Sequence, residues 1–361
     1  HQNGTLEVAT AWKIDPDPNG NHQDYNPFIN DIWGLGEWGT VGESWSGGVV
    51  FLDAQTGAKG FVYHILQLVE AGIGVGRSHS DAPLHTYVLN DSDSIVAFDK
   101  SKPHGFHGDG MLHGMFGKNL RLTTGFYKQG IDIYPADVDG DGLDEVLSVT
   151  TQYNCLWRPS ESMLDDNGAL IWRKWKPDID IVNNNGWLNN AAMFAVNPDN
   201  DNRVDVFSFT HSHEIDFREW NGINFISRPG WPKNFAPCLP TPPVVGDVDG
   251  DGEQEVIIGT YEPSQTPSSG ALYIFALDGS LKQQLNVPGG LKHIPFLADV
   301  NADGSLDVVY RSLAGQVYVL NFGASSAENV SWATHRGNAR RDGNLGKSLF
   351  PPNTPLITKK I

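Results

Sequence analysis

The chain has 361 residues and a formal net charge of −18, with 40 glycines, 22 prolines and 2 cysteines. This length suits one large domain or two ordinary ones, and frequent turn residues between short apolar runs favour an all-β protein. The acidic balance argues against nucleic acid or an anionic membrane as a partner. No apolar run is long enough for a membrane-inserting helix.

In chain order, the first two repeated units are degenerate. Residues 3–10 fit the second half of an acidic loop and the strand after it, with Asn3 at the fifth loop position and Glu7 at the ninth. The first half of that loop would precede His1, so we expect a processed or truncated product. Residues 83–98 fit two strands around a shortened loop, which we expect to have lost its ion.

Four acidic loops follow, with acids or amides at alternate positions and an acid at the ninth. They are Asp137, Asp139, Asp141 and Glu145; Asn197, Asp199, Asp201 and Asp205; Asp247, Asp249, Asp251 and Glu255; and Asp299, Asn301, Asp303 and Asp307. Calcium takes roughly six to eight hard oxygen ligands, and this spacing can place them around one ion. We therefore predict three to four Ca²⁺ sites. A solvated turn without metal is the alternative, and it is equally open for the 197–205 loop, which lacks glycine at the sixth position.

The loops recur with a regular period, since their closing acids at 145, 205, 255 and 307 are 60, 50 and 52 residues apart. Such a period is typical of solenoids, propellers or arrays, and each unit shows four short strands. We predict an all-β protein, a β-propeller of four-stranded blades, as a single domain over 1–345 with a tail at 346–361. Second strands are expected near residues 7, 95, 145, 205, 255 and 307.

Six units are visible, the first of them truncated, and we expect seven blades in the intact protein, with six or eight as the alternatives. The polar, glycine-rich segment 332–343 is expected to close the ring against the N-terminal blade.

The loops, the strand after each and the Leu277-Asp278-Gly279 turn resemble the FG-GAP/VCBS repeats of integrin-α-type β-propellers, from about residue 134 to 343. The resemblance implies calcium in the loops between the first and second strands, all on one face. It implies no single activity, because the family includes adhesion proteins, lectins and polysaccharide lyases.

By the same resemblance, the other connections lie on the opposite face, including the long segments 12–47, 99–120 and 151–167. Candidate catalytic residues there are His79, His104, His107, His113, Arg158, His211 and His213. Candidate substrate-binding residues are Arg77, Asp81, Asp132, Tyr153, Trp157, Asn190, His293 and Arg311.

Three interpretations of this face compete. Histidine can move a proton near neutral pH, arginine can bind a uronate carboxylate through two hydrogen bonds, and exposed aromatic rings can stack on sugars. Alternatively, His104, His107 and His113 hold a transition metal, since imidazole suits zinc or copper. In the third interpretation, the histidines only pack glycine-rich loops together, and His211 and His213 are satisfied core residues.

Cysteine and glycosylation patterns bear on the compartment. Cys155 and Cys238 are expected on the same face, where a disulfide and two free thiols are equally open. Asn3, Asn90 and Asn329 begin glycosylation sequons. Millimolar calcium outside cells would fill loops of modest affinity, so we predict a secreted or cell-surface protein.

The sequence therefore predicts an extracellular, calcium-stabilised protein that recognises a glycan or a surface protein. Lyase-type cleavage of an acidic polysaccharide is the sharper hypothesis. The alternative from another class is a non-catalytic adhesion, matrix or surface-assembly module.

Overall fold

The computed structural model describes residues 7–14, 46–53, 56, 59–65, 69–76, 85–90, 95–98, 128–152, 158–165, 170–175, 193–199, 201, 203–211, 213–264, 268–323 and 329–332. The strands are β1 Glu7–Ile14, β2 Ser46–Asp53, β3 Lys59–Ile65, β4 Val69–Gly76, β5 His85–Asn90, β6 Ile95–Phe98, β7 Lys128–Ala136, β8 Glu145–Gln152, β9 Arg158–Leu164, β10 Leu170–Trp175, β11 Met193–Val196, β12 Asp205–His211, β13 Glu214–Trp220, β14 Phe225–Ser227, β15 Lys233–Asn234, β16 Leu239–Pro240, β17 Val244–Gly246, β18 Glu255–Tyr261, β19 Ala271–Ala276, β20 Leu281–Asn286, β21 Phe296–Ala298, β22 Asp307–Arg311, β23 Val317–Asn321 and β24 Val330–Trp332.

Within each sheet the main pairs join strands that are consecutive in the chain, and every described pairing is antiparallel. The sheets have the orders β1-β2-β3, β4-β5-β6, β7-β8-β9-β10, β11-β12-β13-β14, β17-β18-β19-β20 and β21-β22-β23. Three short strands join them at the sides: β15 pairs with β13, β16 with β18, and β24 with β17. The all-β prediction is confirmed, and the described residues contain neither a helix nor a helical segment suited to crossing a membrane.

Burial falls from the inner to the outer strands of a sheet. All seven residues of β18 are buried, β19 is mostly buried, and five of the six residues of β20 are exposed. The sequence follows this gradient, because β18 reads EVIIGTY and β20 reads LKQQLN. An outer strand of this kind can carry charged side chains at little desolvation cost.

Aromatic side chains connect the sheet of β11–β14 to the sheet of β17–β20. Phe207 and Phe217 stack with ring centroids 4.2 Å apart, and Trp231 lies edge-on to both rings. Trp231 also contacts Phe275 of the next sheet, at 5.9 Å between centroids. Since these rings are at most 8% exposed, the two sheets share one apolar core.

A buried ionic group lies between the sheet of β7–β10 and the sheet of β11–β14. Arg218 of β13 donates to Asp216 at 2.6 Å and to Glu161 of β9 at 3.5 Å. The exposed fraction of all three residues is at most 3%. Charges this deep need their partners, because leaving one unpaired is costly.

Two strand positions differ from the prediction. The strand near residue 95, expected to be second in its unit, is third, because Val69–Gly76 comes first in that sheet. The strand Val330–Trp332 pairs with Val245 and Gly246 and not with the N-terminal sheet. The rest of the 332–343 segment lies outside the described residues, and the closed seven-bladed ring stays a prediction.

Candidate metal centre and the opposite face

The four acidic loops occupy equivalent places in four sheets. Each joins the first strand of its sheet to the second: β7 to β8, β11 to β12, β17 to β18 and β21 to β22. All four loops therefore lie at corresponding ends of their sheets, as the repeat pattern predicts.

The first acid of the loop shapes the turn. Asp137 accepts hydrogen bonds from the backbone N–H groups of Gly140 at 2.8 Å and Gly142 at 2.9 Å. Asp247 makes the equivalent pair of bonds, at 2.7 and 3.1 Å. Both glycines of each loop have positive φ, a conformation that costs glycine little.

The closing acid fixes the base of the loop. One oxygen of Glu145, Glu255 and Asp307 accepts the N–H of the second loop residue, at 2.8, 2.9 and 3.0 Å respectively. Asp205 has no such bond available, because the second residue of its loop is Pro198, which carries no N–H.

In the 137–145 loop, the carboxylates converge, and each of Asp139, Asp141 and Glu145 has one oxygen that accepts no hydrogen bond from a side chain of the described residues. Ligand atoms of Asp137, Asp139 and Glu145 lie within 4.8 Å of one another. Backbone N–H groups occupy Asp139 Oδ1, Asp141 Oδ1 and Glu145 Oε2. Within the described part of the chain, no side chain donates to the second oxygens of these three residues.

This crowding changes the protonation of the closing acid. Burial first, and then the charges of Asp139, Asp141 and Asp137, raise the pKa of Glu145 to about 8. Burial likewise raises the pKa of Asp137, against the lowering effect of its backbone hydrogen bonds. A divalent cation among these oxygens would remove the repulsion, and hard oxygens are the ligands that calcium prefers.

In the 247–255 loop, the same set of oxygens holds a lysine. Lys282 of β20 places Nζ 2.9 Å from Asp249 Oδ2, 2.7 Å from Asp251 Oδ2 and 2.7 Å from Glu255 Oε1. Although burial acts to lower it, these hydrogen bonds raise the pKa of Lys282. The hydrogen bond from Lys282 also lowers the pKa of Asp251.

In the 197–205 loop, an arginine takes the corresponding role. Arg228 Nη2 lies 2.5 Å from Asp199 Oδ2 and 3.3 Å from Asp205 Oδ2. Burial raises the pKa of Asp205 to about 8, although the charge of Arg228 opposes the rise. The first position holds Asn197, whose amide nitrogen donates to the Asp201 carbonyl at 2.8 Å.

In the 299–307 loop, an amide faces the acids. Asn321 Nδ2 donates to Asp307 Oδ1 at 2.9 Å and lies 3.4 Å from Asp303 Oδ2. The fourth loop position is Ala302, with φ of 62°, where two other loops have glycine. Ligand atoms of Asp247, Asp249 and Asp251 also lie within 4.8 Å of one another, but Lys282 contacts the carboxylates of that loop. The 137–145 loop is therefore the one of the four whose converging carboxylates have no side-chain donor in the described part of the chain.

Lys282, Arg228 and Asn321 were not singled out from the sequence. Lys282 and Asn321 lie in strands that are distant in sequence from the acids and come close to them because the strands pair in the sheet. Arg228 directly follows a strand of the same kind. The sequence did offer one signal for Lys282: it is a basic residue three positions after Gly279, the glycine of a turn.

At the opposite end of the sheets, three predicted residues are described. His213 lies in the turn between β12 and β13, His293 in the connection from β20 to β21, and Arg311 at the end of β22. His213 Nδ1 is 2.8 Å from the Cys238 carbonyl, and His293 and Arg311 are exposed. No hydrogen bond or ion pair joins the three side chains in the described part of the protein.

A shallow cleft of about 410 Å³ opens at this end, between β18, β19 and β20. Tyr273, Gln284, Asn286 and Ser269 contribute polar groups to its lining. Neither lysine nor arginine lines it, so it suits uncharged hydrogen-bonding groups.

Other predicted residues of the opposite face are described only as backbone or not at all. Asp132, Arg158 and His211 lie in β7, β9 and β12. The predicted long loop 151–167 is mostly strand, because β8 extends to Gln152 and β9 begins at Arg158. The following lie outside the described residues: Arg77, His79, Asp81, His104, His107, His113, Tyr153, Trp157 and Asn190.

The strand before Arg77 does not run to the predicted face. A Cβ built on Gly76, the last residue of β4, would lie 2.7 Å from Asp144 Oδ2. β4 therefore ends beside the 137–145 loop, and Arg77, His79 and Asp81, which follow it, lie outside the described residues. This difference from the prediction follows from the unpredicted strand at the start of this sheet.

The modification sites have different surroundings. Cys238 carries a free, half-buried thiol whose pKa is raised by burial, and Cys155 lies outside the described residues. Asn90 ends β5 and Asn3 lies outside the described residues. The Asn329 amide donates to Asp247 Oδ2 and the Gly252 carbonyl, at 3.3 Å each, and accepts from Gln254 at 2.8 Å, so it is already engaged.

Comparisons with known proteins give no family. No protein-family model matches the sequence, and no curated protein sequence matches it. Three solved structures illustrate what the fold is similar to, each at low identity.

The rhamnogalacturonan lyase of Bacillus licheniformis is 10% identical, with a TM-score of 0.38; the match covers 78% of this chain and 50% of the lyase, so the chain spans half its length. BBS1N, solved in complex with ARL6DN, is 12% identical with a TM-score of 0.44, over 80% of this chain and 77% of that one. The Aleuria aurantia lectin, a six-bladed β-propeller, is 9% identical with a TM-score of 0.33, over 82% of this chain and 93% of the lectin.

Proposed function

We propose that this chain is an extracellular β-propeller of the FG-GAP/VCBS type that binds calcium in its 137–145 acidic loop and recognises a glycan at the opposite face. The observation that carries the calcium proposal is the 137–145 loop, where Asp137, Asp139 and Glu145 converge within 4.8 Å. A bound ion would link the two strands that the loop joins. Its role would be structural, because it would offset the repulsion between Glu145 and the neighbouring aspartates of the loop.

Calcium titration tests this proposal. The wild-type protein is expected to bind Ca²⁺ and to unfold at a higher temperature in its presence, because a ligand at about 100 times its Kd stabilises a protein by about 2.7 kcal/mol. Asp139→Asn should lose one bound ion. Glu253→Gln is the matched control, because Glu253 is an exposed acid of the 247–255 loop that faces none of these oxygens. Equal calcium binding by wild type and Asp139→Asn would contradict the proposal.

The cleft supports the glycan half of the proposal. An aromatic ring with amide and hydroxyl groups around it can hydrogen-bond sugar hydroxyls and stack on a sugar face. Tyr273 supplies the ring, and Gln284 and Asn286 supply the amides. Binding to a panel of immobilised oligosaccharides is expected for wild type and should be lost in Tyr273→Ala. Equal binding by the variant would place recognition elsewhere.

Cleavage of an acidic polysaccharide is the sharper form of the same proposal. His213, His293 and Arg311 lie on the same face but outside the cleft. They supply the residue types that proton abstraction beside a neutralised carboxylate requires. Incubation with uronate polysaccharides should then produce the ultraviolet absorbance of a new carbon–carbon double bond. A flat absorbance on every polymer, together with retained binding, would leave the non-catalytic adhesion or matrix module as the function.

A further inference from the structure

We infer that the 247–255 and 197–205 loops are neutralised by the chain's own cations, Lys282 and Arg228, and that the 137–145 loop is the one among these three that depends on calcium. This inference rests on the proposed function, because it takes calcium binding at 137–145 as given. It departs from the uniform set of sites that the sequence repeats predict.

The Nζ atom of Lys282 lies where a metal ion would lie at the centre of the 247–255 loop. Its Nζ lies 2.7–2.9 Å from one oxygen each of Asp249, Asp251 and Glu255. Calcium would need the same oxygens at roughly 2.3–2.6 Å. The ammonium and the metal ion therefore exclude each other.

Sheet register identifies the matching residue in the 137–145 loop. Phe275 pairs with Leu281 and Ile274 with Gln283, so Lys282 lies in a bulge. Leu164 pairs with Leu170 and Met163 with Trp172, which leaves Ile171 in the equivalent bulge.

Ile171 is 45% exposed and has no charge to offer the carboxylates. The two loops share the spaced acids, the turn and the bulge. They differ at the bulge residue and at their seventh and eighth residues, which are Leu143 and Asp144 in one loop and Glu253 and Gln254 in the other. Only the bulge residue brings a cation to the acids: Lys282 contacts Asp249 Oδ2, Asp251 Oδ2 and Glu255 Oε1, whereas Ile171 leaves the matching second oxygens of Asp139, Asp141 and Glu145 without a side-chain donor among the described residues.

In the 197–205 loop, the neutralising cation is an arginine. Arg228 bridges Asp199 and Asp205, and its Nε also lies 3.8 Å from Glu219. An asparagine replaces the first acid, so the loop offers calcium fewer charges than the 137–145 loop. An arginine cannot lose its charge in this pH range, so it blocks the site at any pH where the protein is folded.

A reciprocal exchange tests the inference. Bound calcium is counted by equilibrium dialysis or calorimetry of the whole chain at about 1 mM free Ca²⁺, the range of extracellular modules. Lys282→Ile should bind one more ion per chain than wild type, and Ile171→Lys one fewer. Lys292→Ile is the control, since it removes a lysine from the opposite end of the sheets and should leave the count unchanged.

The outcomes separate the inference from the proposed function. Loss of an ion in Asp249→Asn, in an otherwise wild-type chain, would overturn the inference, because calcium would then displace Lys282. An unchanged count in both exchange variants would also overturn it. An unchanged count in Asp139→Asn would contradict calcium binding at 137–145, which is the proposed function and the part of the inference that rests on it. A gained ion in Lys282→Ile would still support neutralisation of the 247–255 loop by lysine.

Discussion

At the scale of single residues, the acidic loops combine a backbone requirement with an electrostatic one. The fourth loop position has positive φ in the three loops where it is described, and it is glycine in only two of those three. The ninth position must hold a buried acid beside other acids. Each requirement leads to a prediction about one side chain.

Ala302→Gly is expected to stabilise the protein by about 0.5–1 kcal/mol. A non-glycine residue in the left-handed region costs about 1–2 kcal/mol, and the extra flexibility of glycine in the unfolded chain offsets part of the gain. Urea unfolding measures the change. Ala314→Gly, an exposed turn alanine without positive φ, should instead lower the stability, and equal effects of the two variants would contradict the explanation.

Without metal, Glu145 should make the protein less stable as the pH rises. Its folded pKa of about 8 lies above its ordinary value of 4.5, so the folded state binds the proton more tightly. The stabilisation is complete below about pH 4.5 and is lost as the pH rises through 8, on the order of a few kcal/mol.

Urea unfolding in a chelator between these pH values measures the slope. Glu145→Gln should flatten it, leaving the contribution of Asp205, whose pKa is also raised to about 8. Saturating calcium should flatten it as well, because a cation lowers the pKa. A slope that is the same in wild type and Glu145→Gln would exclude this carboxyl as its source.

At the scale of elements, the sheets pack through rings at one interface and through charges at another. Trp231 and Phe275 join β11–β14 to β17–β20, whereas Glu161 and Arg218 join β7–β10 to β11–β14. An apolar interface tolerates changes in shape, but a charged one fails when one partner is lost.

Arg218→Met is expected to cost about 3–5 kcal/mol, because it removes the cation that hydrogen-bonds the buried carboxylates of Glu161 and Asp216. The measurement is the free energy of unfolding in urea. Arg311→Met, which removes an exposed arginine, should change stability by less than about 0.5 kcal/mol. Replacing Glu161 and Asp216 by their amides in the Arg218→Met chain should recover part of the loss. A cost near that of the Arg311 control would show that the ion pair contributes little.

At the scale of the whole molecule, the C-terminal strand β24 ties distant parts of the chain together. Asn329 contacts Asp247, Gly252 and Gln254, and Ser331 donates to the Asn197 carbonyl at 2.9 Å. Two acidic loops are therefore held by residues 75 or more positions away.

Asn329→Ala should destabilise the protein by about 1–3 kcal/mol, the cost of leaving buried polar partners unpaired. Asn224→Ala, at an exposed turn, is the control and should be nearly neutral. In a secreted preparation, mass spectrometry is expected to find Asn329 without a glycan, because its amide nitrogen is engaged. Full occupancy of this sequon would show that β24 leaves the loops.

What the sequence by itself determined is local. Acids at alternate positions, glycines with positive φ and the closing acid form turns whose hydrogen bonds span at most seven residues, so their spacing predicts them. The antiparallel order of the sheets around these loops follows from the same repeats.

The tertiary structure decided which loops are free for a metal. Lys282 reaches Glu255 from 27 positions away and Arg228 reaches Asp199 from 29, through strand pairing and a bulge that no local pattern encodes. The tertiary structure also decided that β4 is the first strand of the second sheet and that β24 pairs with β17. The physical reason is that these contacts depend on which strands lie side by side, whereas a turn depends only on its own few residues.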